Sequence, residues 1–365
     1  MRALGVISPS LSNKIDQEDK YILELDSLKI PLALIHIPDT VFEENDDKYA
    51  NTVLVRKKGF SLNYRDLGII EHAWRQLQGT DLDTYYPIGS EFCGVVVKIG
   101  KNVDNLKVGD YVIADCSYPS APFNSQPGIP SNHASKELEI FHRGKLIKIP
   151  ENIPAEQASG ISIGIQTAMS MLRKADIKEG NKVLVTSITS NTSLIILNYL
   201  RDKNYDVYGL SYSGKDTDKV KKLFPFIKSI YNFKDNNIPQ DLFFDAVLDP
   251  FSDTHLVALQ PNLGFEARYV TCGMFNQSSE KMKSKESFVN FPSFIGSLIT
   301  KNIQIRANCL GTSEDLADGI KILSENINSN IPVDEVFNKD EDINLFLDKS
   351  FLKTKKTGKV SFLYN

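Results

Sequence analysis

Five short, almost wholly apolar runs recur at 182–186, 205–210, 243–248, 267–272 and 303–308, and stretches of helical spacing separate them. A strand that is apolar on both faces must be covered on both faces, so the alternation requires a parallel sheet between two layers of helices. Before residue 155 the texture differs. Runs such as 52–56, 93–99 and 111–114 are short, and turn signals like Lys107-Val108-Gly109-Asp110 punctuate them, which is the patterning of a barrel or sandwich. The tail from Ser329 returns to short mixed elements and closes on a strand at 358–363. With 365 residues, the chain is long enough for about two domains.

Charge and apolar length narrow the class. Forty-two basic against 46 acidic residues give a net charge of -4, which supplies no positive field for a nucleic-acid backbone. Apolar runs such as 193–200 fall far short of the roughly 20 residues of a membrane helix, and the opening Met1-Arg2-Ala3-Leu4-Gly5-Val6 leads into Ser8-Pro9-Ser10, not an apolar leader core. A cytoplasmic protein is expected. Cys93, Cys116, Cys272 and Cys309 are scattered without any Cys-x-x-Cys pair, which suggests neither a disulfide framework nor a thiolate zinc cluster.

Several segments, taken in order, resemble the medium-chain dehydrogenase/reductase family in its zinc-free, quinone-oxidoreductase-like branch. They are Leu62-Asn63-Tyr64-Arg65-Asp66-Leu67, Pro87-Ile88-Gly89-Ser90-Glu91-Phe92-Cys93-Gly94, Val108-Gly109-Asp110-Tyr111-Val112, Ala155-Glu156-Gln157-Ala158, Gln166-Thr167-Ala168, Lys178-Glu179-Gly180-Asn181-Lys182-Val183, Arg268-Tyr269-Val270-Thr271-Cys272-Gly273 and Thr357-Gly358-Lys359-Val360. The resemblance implies an α/β chain with a GroES-like β-rich catalytic domain (1–156 and 310–365) and a Rossmann-type doubly wound dinucleotide-binding domain (157–309). It says nothing about the segment 8–50, which is longer than the family usually has.

Zinc-type members hold their catalytic metal with a Cys, a His beside a Glu, and a later Cys. The matching positions here are Asn63, Ser90 beside Glu91, and Ile163, and an amide, a hydroxyl and an isoleucine do not make a tetrahedral zinc site. The family's structural-zinc lobe is equally short of cysteine, since none follows Cys116 before Cys272. Both metals are expected to be absent. His133 and His142 are single loop histidines, which ordinarily are solvated.

The strand 182–186 followed by the helical run 194–200 is where a dinucleotide's pyrophosphate would sit on a helix N-terminus. The family's glycine-rich turn is replaced by Ser187-Ile188-Thr189-Ser190-Asn191-Thr192-Ser193. Asn tolerates left-handed backbone and hydroxyls can donate to phosphate, so Ser187, Ser190, Asn191 and Thr192 are expected to bind the cofactor. An N-capped helix in a domain that has lost its cofactor is the alternative. The next strand ends without the acid that would bind both ribose hydroxyls; Ser211, Ser213 and Lys215 stand there and favour NADPH, although Asp216 and Asp218 also fit an ordinary solvated loop. By the resemblance, Lys359 reaches the pyrophosphate, Thr167 packs near the nicotinamide, and Cys272, Gly273, Met274, Phe275 and Asn308 border the same ring.

Without a metal, the chemistry that remains natural is hydride delivery to an activated C=C bond, with negative charge developing on a conjugated carbonyl. Asn63, Tyr64 and Arg65 lie on the motif that faces the nicotinamide in the family and offer an amide, a phenol and a cation; Tyr64 is the first candidate proton donor, with Tyr85 and Tyr86 behind it. Tyr64 could equally be core, and Arg65-Asp66 a structural ion pair.

The loss of both glycines and zinc ligands is also similar to the lanthipeptide-tailoring dehydroalanine reductases, which implies dehydroalanine or dehydrobutyrine in a precursor peptide as substrate and D-alanine as product. A small quinone or enone is the second reading, and a non-catalytic binding protein of the same fold the third. Strand 303–308 would be a sheet edge of the kind the family pairs between subunits, so a homodimer is expected.

Overall fold

The structure, a computed structural model, describes every residue except 213, 215, 216, 275–290, 326–330, 352–355 and 365. Its first 150 residues carry β1 (Arg2–Ile7), α1 (Pro9–Ser12), β2 (Lys20–Leu25), β3 (Leu28–His36), β4 (Thr52–Ser61), α2 (Asp66–Leu77), β5 (Tyr85–Pro87), β6 (Glu91–Ile99), β7 (Tyr111–Ala114), β8 (Leu138–His142) and β9 (Leu146–Lys148). There follow α3 (Ala155–Ala158), α4 (Ser162–Ala175), β10 (Lys182–Val185), α5 (Asn191–Leu200), β11 (Asp206–Ser211), α6 (Thr217–Leu223), β12 (Ile230–Asn232), β13 (Phe244–Asp249), α7 (Ser252–Leu259) and β14 (Leu263–Thr271). The last described elements are α8 (Phe291–Thr300), β15 (Gln304–Ala307), α9 (Ser313–Glu325), β16 (Val333–Phe337), α10 (Ile343–Phe351) and β17 (Lys359–Leu363).

The five apolar runs, with β12, form a six-stranded sheet in the order β12-β11-β10-β13-β14-β15, parallel at every pairing. Alternate side chains leave for opposite sides. Val183, Val185, Ala246 and Leu248 enter one core with α4 and α5, whereas Leu184, Val247 and Tyr269 enter the other. Covering on both faces is thus what the unbroken apolar runs encode. The order reverses between β10 and β13, and in open sheets of this kind ligands bind outside the strand ends at that reversal.

A second sheet joins the two ends of the chain: β16-β17-β4-β6-β7-β9, with β8 on β4. Ser361 of β17 stands opposite Ser61 of β4, which brings the C-terminal strand beside the loop 62–65. The segment 8–50 supplies β2 and β3 of a third sheet, β2-β3-β1-β5.

Helix α9 begins just beyond the expected boundary at 310, yet its Leu316, Ile320 and Leu323 lie in the core of the parallel sheet. Gly319 lets α9 approach α4 so closely that a Cβ there would stand 2.2 Å from Ile165. The apolar stripe of α9 thus covers α4, while residues just before and at its start touch the β-rich part through Tyr118 N to Gly311 O and Ser313 Oγ to Asp115. Among the described residues, no helix is long and apolar enough to cross a membrane.

Candidate active site and cofactor crevice

Where β4 ends, Leu62-Asn63-Tyr64-Arg65 turns into α2, and the Asn63 N–H donates to Asp66 Oδ2 at 2.7 Å. Across from it, Ser90 and Glu91 open β6, and Lys359 opens β17. Gly358 sets that last side chain's direction: its φ is +96°, and a Cβ would lie 1.9 Å from Pro332 O, so glycine alone makes this turn.

These residues are wired to one another. Lys359 Nζ donates to Leu62 O at 3.0 Å and Asn63 Oδ1 at 2.7 Å, and pairs with Glu91 Oε1 at 2.5 Å. Asn63 Nδ2 donates to Ser90 Oγ at 3.1 Å and Glu91 Oε1 at 3.0 Å. Ser90 Oγ donates to Asp66 Oδ2 at 3.0 Å, and Ile163 N to Glu91 Oε2 at 2.9 Å. Asp66, Ser90 and Glu91 are fully buried. Burial pushes the Asp66 carboxyl up, against the opposing pull of Arg65 and the bonds from Asn63 and Ser90.

The Lys359 ammonium is turned toward buried Glu91 and, among the described residues, is the cation that pairs with it. Asn63 spends its amide NH2 on Ser90 and Glu91 and its amide oxygen on Lys359. Zinc does not fit: Asn63 presents N–H donors where a ligand must present a lone pair, Ile163 presents a hydrocarbon, and Ser90 Oγ is committed to Asp66.

Tyr64 and Arg65 remain at the junction of the two parts. The Tyr64 ring meets Phe251, just beyond β13, edge-on at 5.7 Å and 71°. Burial, with the carboxylates of Asp253 and of Asp26 at the turn between β2 and β3, pushes the phenol up and keeps it protonated. Arg65 Nη1 donates to Asp66 Oδ1 at 3.2 Å and Asn132 Oδ1 at 3.1 Å, and a third of its side chain stays exposed. The structural ion pair is therefore present, without consuming the guanidinium. Tyr86 lies edge-on to His133 at 5.1 Å, and Tyr85 is half-buried in β5 beside it.

The glycine-poor loop has one left-handed residue and a capped helix start. Ser187 takes φ +47°, the left-handed geometry expected of a glycine. Ser190 caps α5, accepting from Ser193 N at 3.3 Å, and Ser193 Oγ ties back to Thr186 O at 2.7 Å. Asn191 Nδ2 donates to Gly160 O at 2.9 Å while its buried Oδ1 has no partner among the described residues, and Thr192 stays half-exposed in the first turn. First-turn N–H groups lack intrahelical acceptors, so this end of α5 can receive a phosphate. Gly358 N donates to Thr189 O at 3.0 Å and closes the loop's far side.

At the end of β11, Ser211 Oγ accepts from Gly214 N at 3.0 Å; Ser213 and Lys215 lie outside the described residues. Tyr212 stacks on Phe233 at 5.8 Å, and Lys234 Nζ sits 5.1 Å from the Tyr212 ring centre. Beside the expected ring site, Gly273 O accepts from Ser252 Oγ at 3.2 Å, Met274 is exposed, and burial pushes the Cys272 thiol up to about 12. Phe275 is outside the described residues. Thr167 is buried on α4, and the Asn308 side chain is spent on structure, accepting from Ser170 Oγ at 2.7 Å and donating to Leu310 O at 2.7 Å.

Sequence reasoning missed Asp249. It closes β13 fully buried, and the signal was legible: an acid ending an apolar strand at a proline, Asp249-Pro250.

Residues 49–151 match the alcohol dehydrogenase GroES-like domain. A probable polyketide synthase of Dictyostelium discoideum is 31% identical over 245 residues, which are 63% of this chain and 8% of that protein. The chain thus spans less than a tenth of that relative's length. The quinone oxidoreductase of Coxiella burnetii superposes with a TM-score of 0.68 at 17% identity, over 100% of this chain and 99% of that one. A 2-octenoyl-CoA carboxylase reductase, solved with NADP and 2-octenoyl-CoA, gives 0.70 at 16% identity, over 100% of this chain and 87% of that one. Residues 49–151 therefore match the alcohol dehydrogenase GroES-like domain, and the chain as a whole shares its fold, a GroES-like part joined to a parallel-sheet part, with the Coxiella quinone oxidoreductase.

Proposed function

We propose that this chain is an NADPH-dependent, zinc-independent reductase of an activated C=C bond, whose substrate is dehydroalanine or dehydrobutyrine in a lanthionine-type precursor peptide, and which turns the former into D-alanine. One observation carries the reading: the positions that would ligate zinc are cross-bonded through Asn63, Ser90 and Lys359, which leaves Tyr64 and Arg65 as the polar groups at the junction. Bound NADPH would supply the hydride, to the β-carbon. Arg65, fixed by Asp66 and Asn132, can stabilise negative charge on the conjugated amide oxygen. Tyr64, held protonated, can give its proton to the α-carbon and regain one from solvent. The addition of hydride and proton balances the loss of the double bond.

Preference for NADPH is supported by the end of β11, where Ser211 replaces an acid and Lys234 lies over Tyr212. The protein would act in the cytoplasm as a homodimer paired along β15. The second reading, a small quinone or enone substrate, is favoured by the fold shared with the Coxiella quinone oxidoreductase.

The test is direct. NADPH should quench the fluorescence of Trp74 and bind by calorimetry, and a dehydroalanine peptide incubated with it should gain two hydrogens by mass spectrometry. No binding of either NADPH or NADH would end the enzyme reading. No mass gain alongside rapid quinone turnover would promote the second.

A further inference from the structure

The reversal point of the parallel sheet is bridged by a single side chain. Asp249, the last residue of β13, is fully buried, and its Oδ1 accepts from Thr186 Oγ1 at 2.5 Å, from Phe251 N at 2.9 Å and from His255 Nδ1 at 2.9 Å. Its Oδ2 accepts from the Tyr269 hydroxyl on β14. Burial alone would raise this carboxyl, yet the His255, Thr186 and Tyr269 bonds outweigh it and hold Asp249 below the usual carboxylate range. His255 Nε2 is buried and has no hydrogen-bond partner among the described residues.

The two other Oδ1 donors lead to opposite halves of the candidate site. Thr186 is the hinge of the cofactor loop: its carbonyl accepts from Ser193 Oγ, and Ser187, the next residue, is the left-handed position. Phe251 is the ring against which Tyr64 packs. We infer that Asp249 is a positioning residue that holds the cofactor loop, through Thr186, and the proton donor Tyr64, through Phe251, in one fixed relation. The inference rests on the function proposed above and adds to it the group that ties coenzyme to acid. Asp249 touches neither and acts only through these neighbours. A charge confined beneath the loop also explains how a turn without glycines keeps its shape: the loop's entry is fixed from below by a hydrogen bond, and the turn itself need not be uniquely favourable.

Substitution separates positioning from mere support. Asp249→Ala should raise the Kd for NADPH at least tenfold by fluorescence titration and lower kcat on a dehydroalanine peptide about tenfold. Asp249→Asn should restore most of both, because its amide oxygen can keep the three Oδ1 bonds while its NH2 donates to Tyr269. In a Y64F background, Asp249→Ala should still weaken NADPH binding but have no further effect on kcat. A general loss of folded enzyme would lower turnover equally in both backgrounds. Should Asp249→Ala fail to fold, Thr186→Val removes one bond at constant shape and should raise the NADPH Kd about fivefold. Wild-type binding in Thr186→Val, or an equal kcat loss from Asp249→Ala with and without Tyr64, overturns the inference alone. Wild-type protein that binds no coenzyme overturns the proposed function as well.

Discussion

Lys359 and Asn63 stand 296 positions apart in the chain and share a 2.7 Å hydrogen bond at the bottom of the candidate site. The same ammonium pairs with Glu91, so one cation holds the start of β17, the loop after β4 and the start of β6 together. Removing it leaves a fully buried carboxylate without its partner. Lys359→Met should therefore cost about 3 kcal/mol or more in urea unfolding. The double variant with Glu91→Gln should recover much of that, and equal losses in both would show that the ion pair is not the cause.

How much of this was legible follows from the range of the signals. The apolar runs at 182–186 and 243–248 became β10 and β13 within a residue, because a doubly covered strand needs no distant information to be recognised. The positions deprived of zinc ligands could likewise be read one by one. The direction of Lys359 could not: it depends on the Gly358 turn and on Glu91, far away in the chain. Nor could segment 8–50 be assigned, since its strands pair with β1 and, through β1, with β5, which lies beyond an intervening helix. Asp249 shows the middle case, in which a local anomaly was visible but its partners Thr186 and Tyr269 came from other strands.

The donor chemistry at the same positions predicts that the proposed reaction needs no zinc. Dialysis against EDTA should leave reductase activity within twofold, and metal analysis of the purified chain should find well under one zinc per molecule. Loss of activity restored by added zinc would contradict the cross-bonded site.

Tyr64 supplies a kinetic test. Removing its hydroxyl should leave the KM for NADPH within twofold and lower kcat by about 10²-fold, the usual scale of a lost general acid. Because burial raises this phenol above its ordinary value, wild-type kcat should show no alkaline decline from this group between pH 7 and 10. A decline centred well below pH 10 that vanishes in Tyr64→Phe would mean that the phenol is not raised.

Lys57 predicts a pH effect on stability away from the crevice. It is fully buried, pairs with Glu139 at 2.5 Å, and burial lowers it from 10.5 to about 8. Below pH 8 both folded and unfolded chains carry this proton, so its contribution does not vary. Between about 8 and 10.5 the unfolded chain holds more protons than the folded one, and stability from this group rises with pH. The difference in unfolding free energy between wild type and Lys57→Met should therefore move in favour of wild type across that window. A difference that is flat or falls would show that the ammonium is not destabilised by burial.

Among the described residues the parallel sheet ends at β15, and that edge tests the proposed assembly. β15 is the last strand in the order, and Gln304, Ile305 and Ala307 are exposed along it. Nearby apolar side chains face water too: Phe265 is 66% exposed, Ile299 68% and Ile305 42%. An unpaired strand edge flanked by apolar surface invites a second strand, and a two-fold axis through it would extend the sheet across two copies and cover those side chains at once. Sedimentation should accordingly show a dimer at micromolar concentration. Ile305→Pro removes a backbone donor at the edge and should yield a monomer with its far-ultraviolet circular dichroism unchanged. A wild-type monomer would refute pairing altogether, and a dimer that survives Ile305→Pro would place the interface elsewhere.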